Sequence, residues 1–530
     1  MRRALQILEG NGAQEVSSAF NGYHPYDHPY FGQILLAFML KIVGYPSSID
    51  PAPDEVASIE MLHLVPRIFM GILAVVDTFL VYKISRLRYN RNIAFAASIL
   101  FAVMPMTWLL RRILLDSIFL PLLLSSILFA VKYNVTMNKN REYRHGMSAV
   151  LLSGIFMGLA IFTKIPAFTL IPLLLYLLIA LPNNNRKWMT LGIWFVPVIL
   201  IPAIWPAYAL FYGQFDQWMD GISSQTSRVP RSLVDSVKSI FEIDPVLTTL
   251  GVLGVVWTTL RRDFFFLFWV LPFMIFLGIV GYSQYIHMTV ILPSFSMAAA
   301  IFIRDLSDIL QPIVVRVLEG SAHTSGRSKN LDKIKPTNYQ QDMSSFFGDD
   351  AKPALPKPPE PTVKLTQAPK MRSLSSFPLW LFFLAVIVIF GIVNTSSLIA
   401  TNVNGSLFEA YAIFVDYLPD DNDADVADGV TLLTAVKWGT YFYWIPKYVF
   451  DKDLTFLDEK RFFVGSKDAP STEKIITIGG KSDEENNEKS NTSILIGRMD
   501  NTARHFDYKK YPFSNMKYNE QGNLDIKANY

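Results

Sequence analysis

The sequence predicts a polytopic α-helical membrane protein of about ten transmembrane helices, followed by a small extracytoplasmic α/β domain at the C-terminal end. Three observations predict it. Hydrophobic residues make up 51% of the 530 and gather into long apolar runs. The Lys and Arg residues between those runs fall in alternate loops, as they do when one face of a membrane collects positive charge. After Leu398 the pattern changes to short β-like runs set in polar sequence.

The net charge of +3 is small and spread through short loops, so composition points away from nucleic acid. Cysteine is absent, which rules out disulfides and thiolate–metal sites and leaves any exported part to be held by packing. The start, Met1-Arg2-Arg3-Ala4-Leu5, has two positive charges with no apolar segment directly behind them, unlike a signal peptide.

Residues 1–63 are largely polar and read as a first-loop region. Their one apolar stretch, Phe31 to Val43, is too short to cross a bilayer. Phe31, Leu35, Phe38 and Ile42 share a helical face, which suits an interfacial helix. The expected spans then follow: Leu64–Ile84, Ile93–Leu110, Ile113–Val131, Ser148–Thr163, Pro166–Leu181, Met189–Phe211, Val246–Leu260, Phe264–Gly281, Ile286–Ile303 and Phe377–Leu398. Four loops are basic: Lys83 to Arg91, Lys132 to Arg144, Arg186-Lys187 and Arg261-Arg262. These are expected inside. The Asp116 turn, the Lys164 turn, the long loop Tyr212 to Pro245 and the turn Tyr282 to Tyr285 are then outside.

Two further regions follow from this alternation. Residues 304–376, rich in Ser, Pro, Lys and Asp, read as a disordered cytoplasmic linker. Residues 399–530 lie outside, with strands expected at Gly429–Ala435, Lys474–Ile478 and Ser493–Ile496. The sequons at Asn394, Asn404 and Asn491 fall on the exported side, and the one at Asn134 does not. The alternation also puts residues 1–63 outside, which leads us to expect a further span ahead of Met1.

The outer ends carry the chemistry. Tyr26, Asp27 and His28 come from the first loop. Arg111, Arg112, Asp116, Lys164 and His287 come from helix ends, and Asp216, Asp220, Arg228 and Arg231 from the long outer loop. Cations at a membrane-level cavity suit a phosphate headgroup, and a carboxylate beside them suits a general base acting on an acceptor hydroxyl. Structural roles compete with this reading. Arg111 and Arg112 also suit snorkelling to headgroups, Asp116 an ion pair with one of them, Lys164 an interfacial anchor, and Arg228 with Arg231 a solvated loop. His24, Asp27 and His28 have the chemistry of divalent-metal ligands, but spacing fixes no further ligand. No Walker loop, dinucleotide fingerprint or HExxH motif is present.

In this order, the strings RRALQILEGNG, YDHPYFGQILLAFMLKIVG, RRILLDSIFLPLLLSS, GLAIFTKIPAFTLIPLLL and YIHMTVILPSFSMAAA resemble the dolichyl-phosphate-mannose protein mannosyltransferase-like branch of the GT-C glycosyltransferases. The resemblance covers roughly residues 1–303. It implies a GT-C-like core and transfer of a sugar from a polyprenyl-phosphate donor to a protein or lipid acceptor on the outer face; the absence of cysteine and the short spans point to the plasma membrane. It also implies flat-lying helices around Ala4–Leu8 and Phe31–Val43. Asp116 matches an acidic residue of the family's site, His28-Pro29 the His-Pro of its first outer loop, Lys164 its lysine, and His287 the polar residue opening its last core helix. The family also has an acidic pair after its first membrane helix, expected a few residues ahead of RRALQILEG. Within this chain Asp27 and Glu15 are candidates to substitute for that pair, and nothing in their placement demands it. Two other classes stay open: a transporter, which should show an internal repeat with paired broken helices, and a non-catalytic membrane scaffold presenting the C-terminal domain.

Overall fold

The computed structural model describes residues 2–8, 10, 12, 26–44, 56–138, 143–179, 187–226, 232–325 and 378–400, and five strands between 430 and 529. The first loop contributes α1 (Arg2–Leu8) and α2 (Phe31–Ile42). There follow α3 (Val56–Arg88), α4 (Arg91–Val103), a 3-10 turn at Pro105–Arg111, α5 (Leu115–Asn138) and α6 (Tyr143–Thr163). A second 3-10 turn, Ile165–Leu170, leads into α7 (Ile171–Ile179), α8 (Lys187–Phe211), α9 (Phe215–Thr226) and α10 (Leu233–Ile243). The rest is α11 (Pro245–Leu260), α12 (Phe265–Val280), a third 3-10 turn at Tyr285–Ile291, α13 (Leu292–Ser325) and α14 (Leu379–Ala400).

Each expected span coincides with helix, but their lengths differ from the expected ten crossings. Among the described residues, six helices are long and apolar enough to cross a membrane: His63–Arg88, Leu115–Met137, Gly146–Thr163, Lys187–Phe211, Tyr285–Arg316 and Leu379–Ser396. A seventh is reached if α10 and α11, bent by 117°, are taken together. Arg91–Val103, Ile165–Ile179 and Phe265–Val280 are apolar helices of 10–17 residues. Proline fixes two of the helix ends. Pro105 forces Met104 into extended backbone (φ −73, ψ 143), ending α4. Pro166 has no N–H to offer Phe162, so α6 stops and Lys164 turns extended (φ −153, ψ 117).

The ends of the bundle sort as the loop charges require. At the basic end, Arg88 donates to Asp263 at 2.6 Å, joining the α3–α4 corner to the α11–α12 corner. Asn134 near the end of α5 donates to the Leu177 carbonyl near the end of α7 at 2.9 Å, so those corners also share an end. Packing between is close. The Cβ positions of Gly154 and Gly158 on α6 lie 2.5 Å from the Trp194 and Pro197 carbonyl oxygens of α8, a separation that admits no side chain. The Trp194 indole N–H donates to Ser153 at 3.2 Å and ties the same two helices.

Several expectations are corrected or fall outside the description. The expected loop Tyr212 to Pro245 contains two helices, α9 and α10. The expected linker begins inside α13, which runs on to Ser325, whereas residues 326–377 lie outside the described residues. Asn394 and Thr395 are buried within α14, so that sequon is not open to glycosylation. Asn404 lies outside the described residues.

The unit Arg304–Phe383 is separated from the rest of the chain by its contacts. Within it, the Arg304 guanidinium lies over the Trp380 ring at 5.9 Å and pairs with Asp308 at 3.5 Å.

Beyond α14 the described residues form one five-stranded sheet of order β2-β1-β3-β5-β4. The strands are β1 (Val430–Thr434), β2 (Leu454–Asp458), β3 (Lys474–Gly480), β4 (Ser493–Met499) and β5 (Leu524–Asn529). The β1 strand pairs parallel with β2 and β3, and β5 antiparallel with β3 and β4. Thus β1, β3 and β4 coincide with the expected strands. Helices of an α/β domain would lie outside the described residues.

Candidate active site

At the end of the bundle away from Arg88 and Asp263, three interrupted helices converge. The α5 helix starts at Leu115, so Asp116 sits in its first turn, where the helix dipole favours negative charge. That turn is tight: Ser117 Oγ donates to the Arg112 carbonyl at 2.8 Å, and so does the Leu114 N–H. Where α6 breaks, Lys164 extends toward α5, and its Nζ lies 2.7 Å from both carboxylate oxygens of Asp116. The third interruption supplies Thr289, whose Oγ1 donates to Asp116 Oδ1 at 3.3 Å. The Asp116 and Lys164 side chains are only 6% and 14% exposed. In so dry a place the ammonium and the hydroxyl take the position of water around the carboxylate.

The other residues of the sequence reading take varied places. Arg112 is exposed and stacks on Trp108 at 5.0 Å, with no carboxylate paired to it among the described residues. Arg111 turns away to the Ala102 carbonyl at 3.3 Å. His287 shares a 3-10 turn with Thr289, and its Nδ1 accepts the Gln284 N–H at 3.2 Å, which leaves Nε2 as the ring's donor. Tyr26 is fully buried and donates to Gln214 Oε1 at 2.5 Å. Burial raises the pKa of Tyr26 and of Tyr30, so both hydroxyls stay protonated. Asp27 forms an ion pair with Arg3 of α1. His28 follows in the same turn, half-buried. Asp216 and Asp220 are exposed on α9. Arg228, Arg231, His24 and Glu15 lie outside the described residues. Among the described residues, no three His, Asp or Glu side chains come together to hold a metal.

The first loop sits against this end of the bundle. Gly32 of α2 leaves room for Leu115 and Thr163, the neighbours of Asp116 and Lys164; a Cβ there would meet their side chains at 2.8 and 2.9 Å. Tyr26 and Tyr30 pack with Phe162, Trp205 and Ala209 in one core cluster, against which Ile165 and Trp218 also lean. The sequence reading missed Thr289, Gln214 and Arg3. For Thr289 the available signal was its position two residues after His287 at a helix opening.

Residues 20–217 match the family model of dolichyl-phosphate-mannose-protein mannosyltransferases. The fold agrees with it. The structure is similar to ArnT from Cupriavidus metallidurans bound to undecaprenyl phosphate, with a TM-score of 0.53 and 10% identity over 100% of this chain and 92% of that one. The apo state of the same enzyme gives 0.54 at the same identity and coverage. The family-model match covers less than half of the chain, and the likeness to ArnT is one of fold. The PMT-like match contains Tyr26, Asp116 and Lys164 and stops short of His287 and Thr289, so the third contribution to the site comes from beyond it. No curated protein sequence matches the chain.

Proposed function

We propose that the protein is a membrane glycosyltransferase that moves a sugar from a polyprenyl-phosphate donor to a hydroxyl of a protein or lipid acceptor. The observation that carries the reading is the two-pronged contact of Lys164 with Asp116, dry and at a helix-end turn, in a PMT-like chain. Asp116 takes the proton of the acceptor hydroxyl. The acceptor oxygen forms a bond to the anomeric carbon as the bond to the phosphate oxygen breaks, and the polyprenyl phosphate leaves with the bonding electron pair. Lys164 serves both halves of this exchange. As Asp116 is neutralised by the proton, the ammonium is released toward the phosphate, which gains a negative charge as it leaves. Arg112, exposed and stacked on Trp108, holds the phosphate beforehand.

The positive residues of the opposite end support placing the Asp116 end on the outer face, with residues 1–63 forming the outer first loop. Residues 64–303 form the catalytic core, the segment beyond α13 a cytoplasmic linker, and residues 377–398 a last span. Residues 399–530 then carry the sheet on the same side as Asp116. Tyr26, His28, Arg228, Arg231 and His287 are assigned to the donor or acceptor side of the site, and Asp27 supports it through Arg3.

Phosphate holding is tested with the sugar-free lipids. The full chain in vesicles should retain tritiated undecaprenyl or dolichyl phosphate, and Arg112→Gln should weaken retention about tenfold, the order expected for one charge-assisted contact. Retention of neither lipid by the unmodified chain contradicts the reading.

A further inference from the structure

The helix α10 divides its surface into three. Ser236 and Ile240 are buried. Next around the helix come Val234, Val237 and Phe241, apolar yet 73%, 39% and 51% exposed. On the remaining arc stand Asp235, Lys238 and Glu242, with Lys238 reaching Glu242 at 3.8 Å one turn on. At 3.6 residues per turn these sets fall on three consecutive arcs, so an apolar stripe separates the packed face from the charged one.

The helix is also held crosswise. Asp244 closes α10 and opens α11: its Oδ1 accepts the Leu247 N–H at 2.9 Å and its Oδ2 the Met106 N–H at 3.3 Å. One buried carboxylate thereby fixes three segments, and α10 departs from the direction of α11 by 117°. The α11 helix presents Val252, Leu253, Val256 and Leu260 to its surroundings, 44% to 75% exposed, as a lipid-facing flank. With α11 running through the bilayer, α10 lies across its edge, and the stripe continues that apolar flank around the corner. The three charged side chains sum to −1 (one Lys less one Asp and one Glu), so attraction to anionic lipid does not seat the helix.

We propose that α10 is an interfacial helix seated in the lipid bilayer, with Val234, Val237 and Phe241 below the headgroups and Asp235, Lys238 and Glu242 in water. Its buried face packs on the Tyr285–Ile291 turn and on the Pro105–Arg111 turn. The depth of α10 therefore sets the level of Thr289 and His287, and places Asp116 close to the headgroups.

The chain has no cysteine, so a single introduced thiol takes a label uniquely. Nitroxides are placed at V234C, V237C, F241C, D235C, K238C and E242C, and the full chain is reconstituted in phosphatidylcholine vesicles. All six positions are at least partly exposed, and gel filtration before reconstitution verifies that each variant is folded. Collision rates are read with oxygen, which concentrates in lipid, and with a water-soluble nickel chelate. The oxygen-to-nickel ratio should be several-fold higher at 234, 237 and 241 than at 235, 238 and 242. Equal ratios at all six positions, favouring nickel, place the helix in water and overturn the proposal. Shielding of 234, 237 and 241 from both reagents means that protein covers the stripe, and overturns it equally. Neither outcome depends on whether the chain transfers a sugar.

Discussion

Lys164 Nζ stands 2.7 Å from each carboxylate oxygen of Asp116, joining the broken end of α6 to the first turn of α5. The pair is a structural joint as well as a chemical one. Removing either partner leaves a nearly buried charge alone, which costs about 3 kcal/mol or more. Asp116→Asn and Lys164→Met should therefore each destabilise the protein by that order, and the double variant should cost clearly less than their sum. Denaturant unfolding in detergent measures the cycle. Strict additivity would show that the two groups do not depend on one another.

Thr289 holds the third corner. Among the described residues its hydroxyl is the one neutral donor on Asp116, and at 3.3 Å its bond is longer than the two from Lys164. A contact of this kind contributes about 1 kcal/mol, so Thr289→Val should slow transfer roughly fivefold, while Thr289→Ser stays near the parent. A serine variant as slow as the valine one would point to lost packing rather than a lost hydrogen bond.

The first loop is held down by a close backbone approach. A Cβ on Gly221 of α9 would lie 2.5 Å from the Tyr26 carbonyl oxygen, and backbone cannot swing aside as a side-chain tip can. Gly221→Ala should cost about 1–3 kcal/mol through forced displacement and loosen the Tyr26–Gln214 contact. Gly192→Ala on α8, with nothing within 4 Å of the added carbon, is the control and should be neutral or mildly stabilising. Thermal unfolding of the two variants separates the cases.

Asp244 gives a pH signature. Burial pushes its carboxyl up to about 6, against the pull of its bonds from Leu247 and Met106. The folded-state value lies above the unfolded one, near 4. The folded state therefore holds this proton more tightly. The stability it contributes is complete below about pH 4 and is lost as pH rises through about 6. The stability of the parent minus that of Asp244→Asn should fall between pH 4.5 and pH 7.5. A difference that stays constant or rises over that interval would contradict the assignment.

Much of this arrangement is legible in the sequence, because bilayer crossing leaves a coarse signal. Apolar runs mark the helices, and alternate basic loops place Asp116, Lys164 and Tyr285–Ile291 at one end. Finer choices depend on packing. The sequence offers Arg111 and Arg112 as nearby partners for Asp116, yet the structure turns one to a carbonyl and the other onto Trp108 and brings in Lys164 from 48 residues away. Thr289 reads as a polar letter at the mouth of an apolar run. The α10 helix is hidden because the outer loop is polar on average; only the spacing of Val234, Val237 and Phe241 and the caps at Ser232 and Asp244 betray it. Asp77 is a further case: it is buried in α3, with neither oxygen hydrogen-bonded among the described residues, and its burial is visible only in the fold. The strands β2 and β5 are short or polar and carry too little alternation to stand out.

The central claim is that Asp116 takes the acceptor proton while a polyprenyl phosphate departs. It is tested most directly by following label from dolichyl-phosphate-mannose tritiated in the sugar, with the full chain and its Asp116→Asn variant in vesicles at equal protein amounts. The account predicts that the parent moves mannose and frees dolichyl phosphate. The variant should retain dolichyl phosphate yet transfer at least about a hundredfold more slowly, the lower range for losing a general base. Transfer by Asp116→Asn at the parent's rate would contradict it.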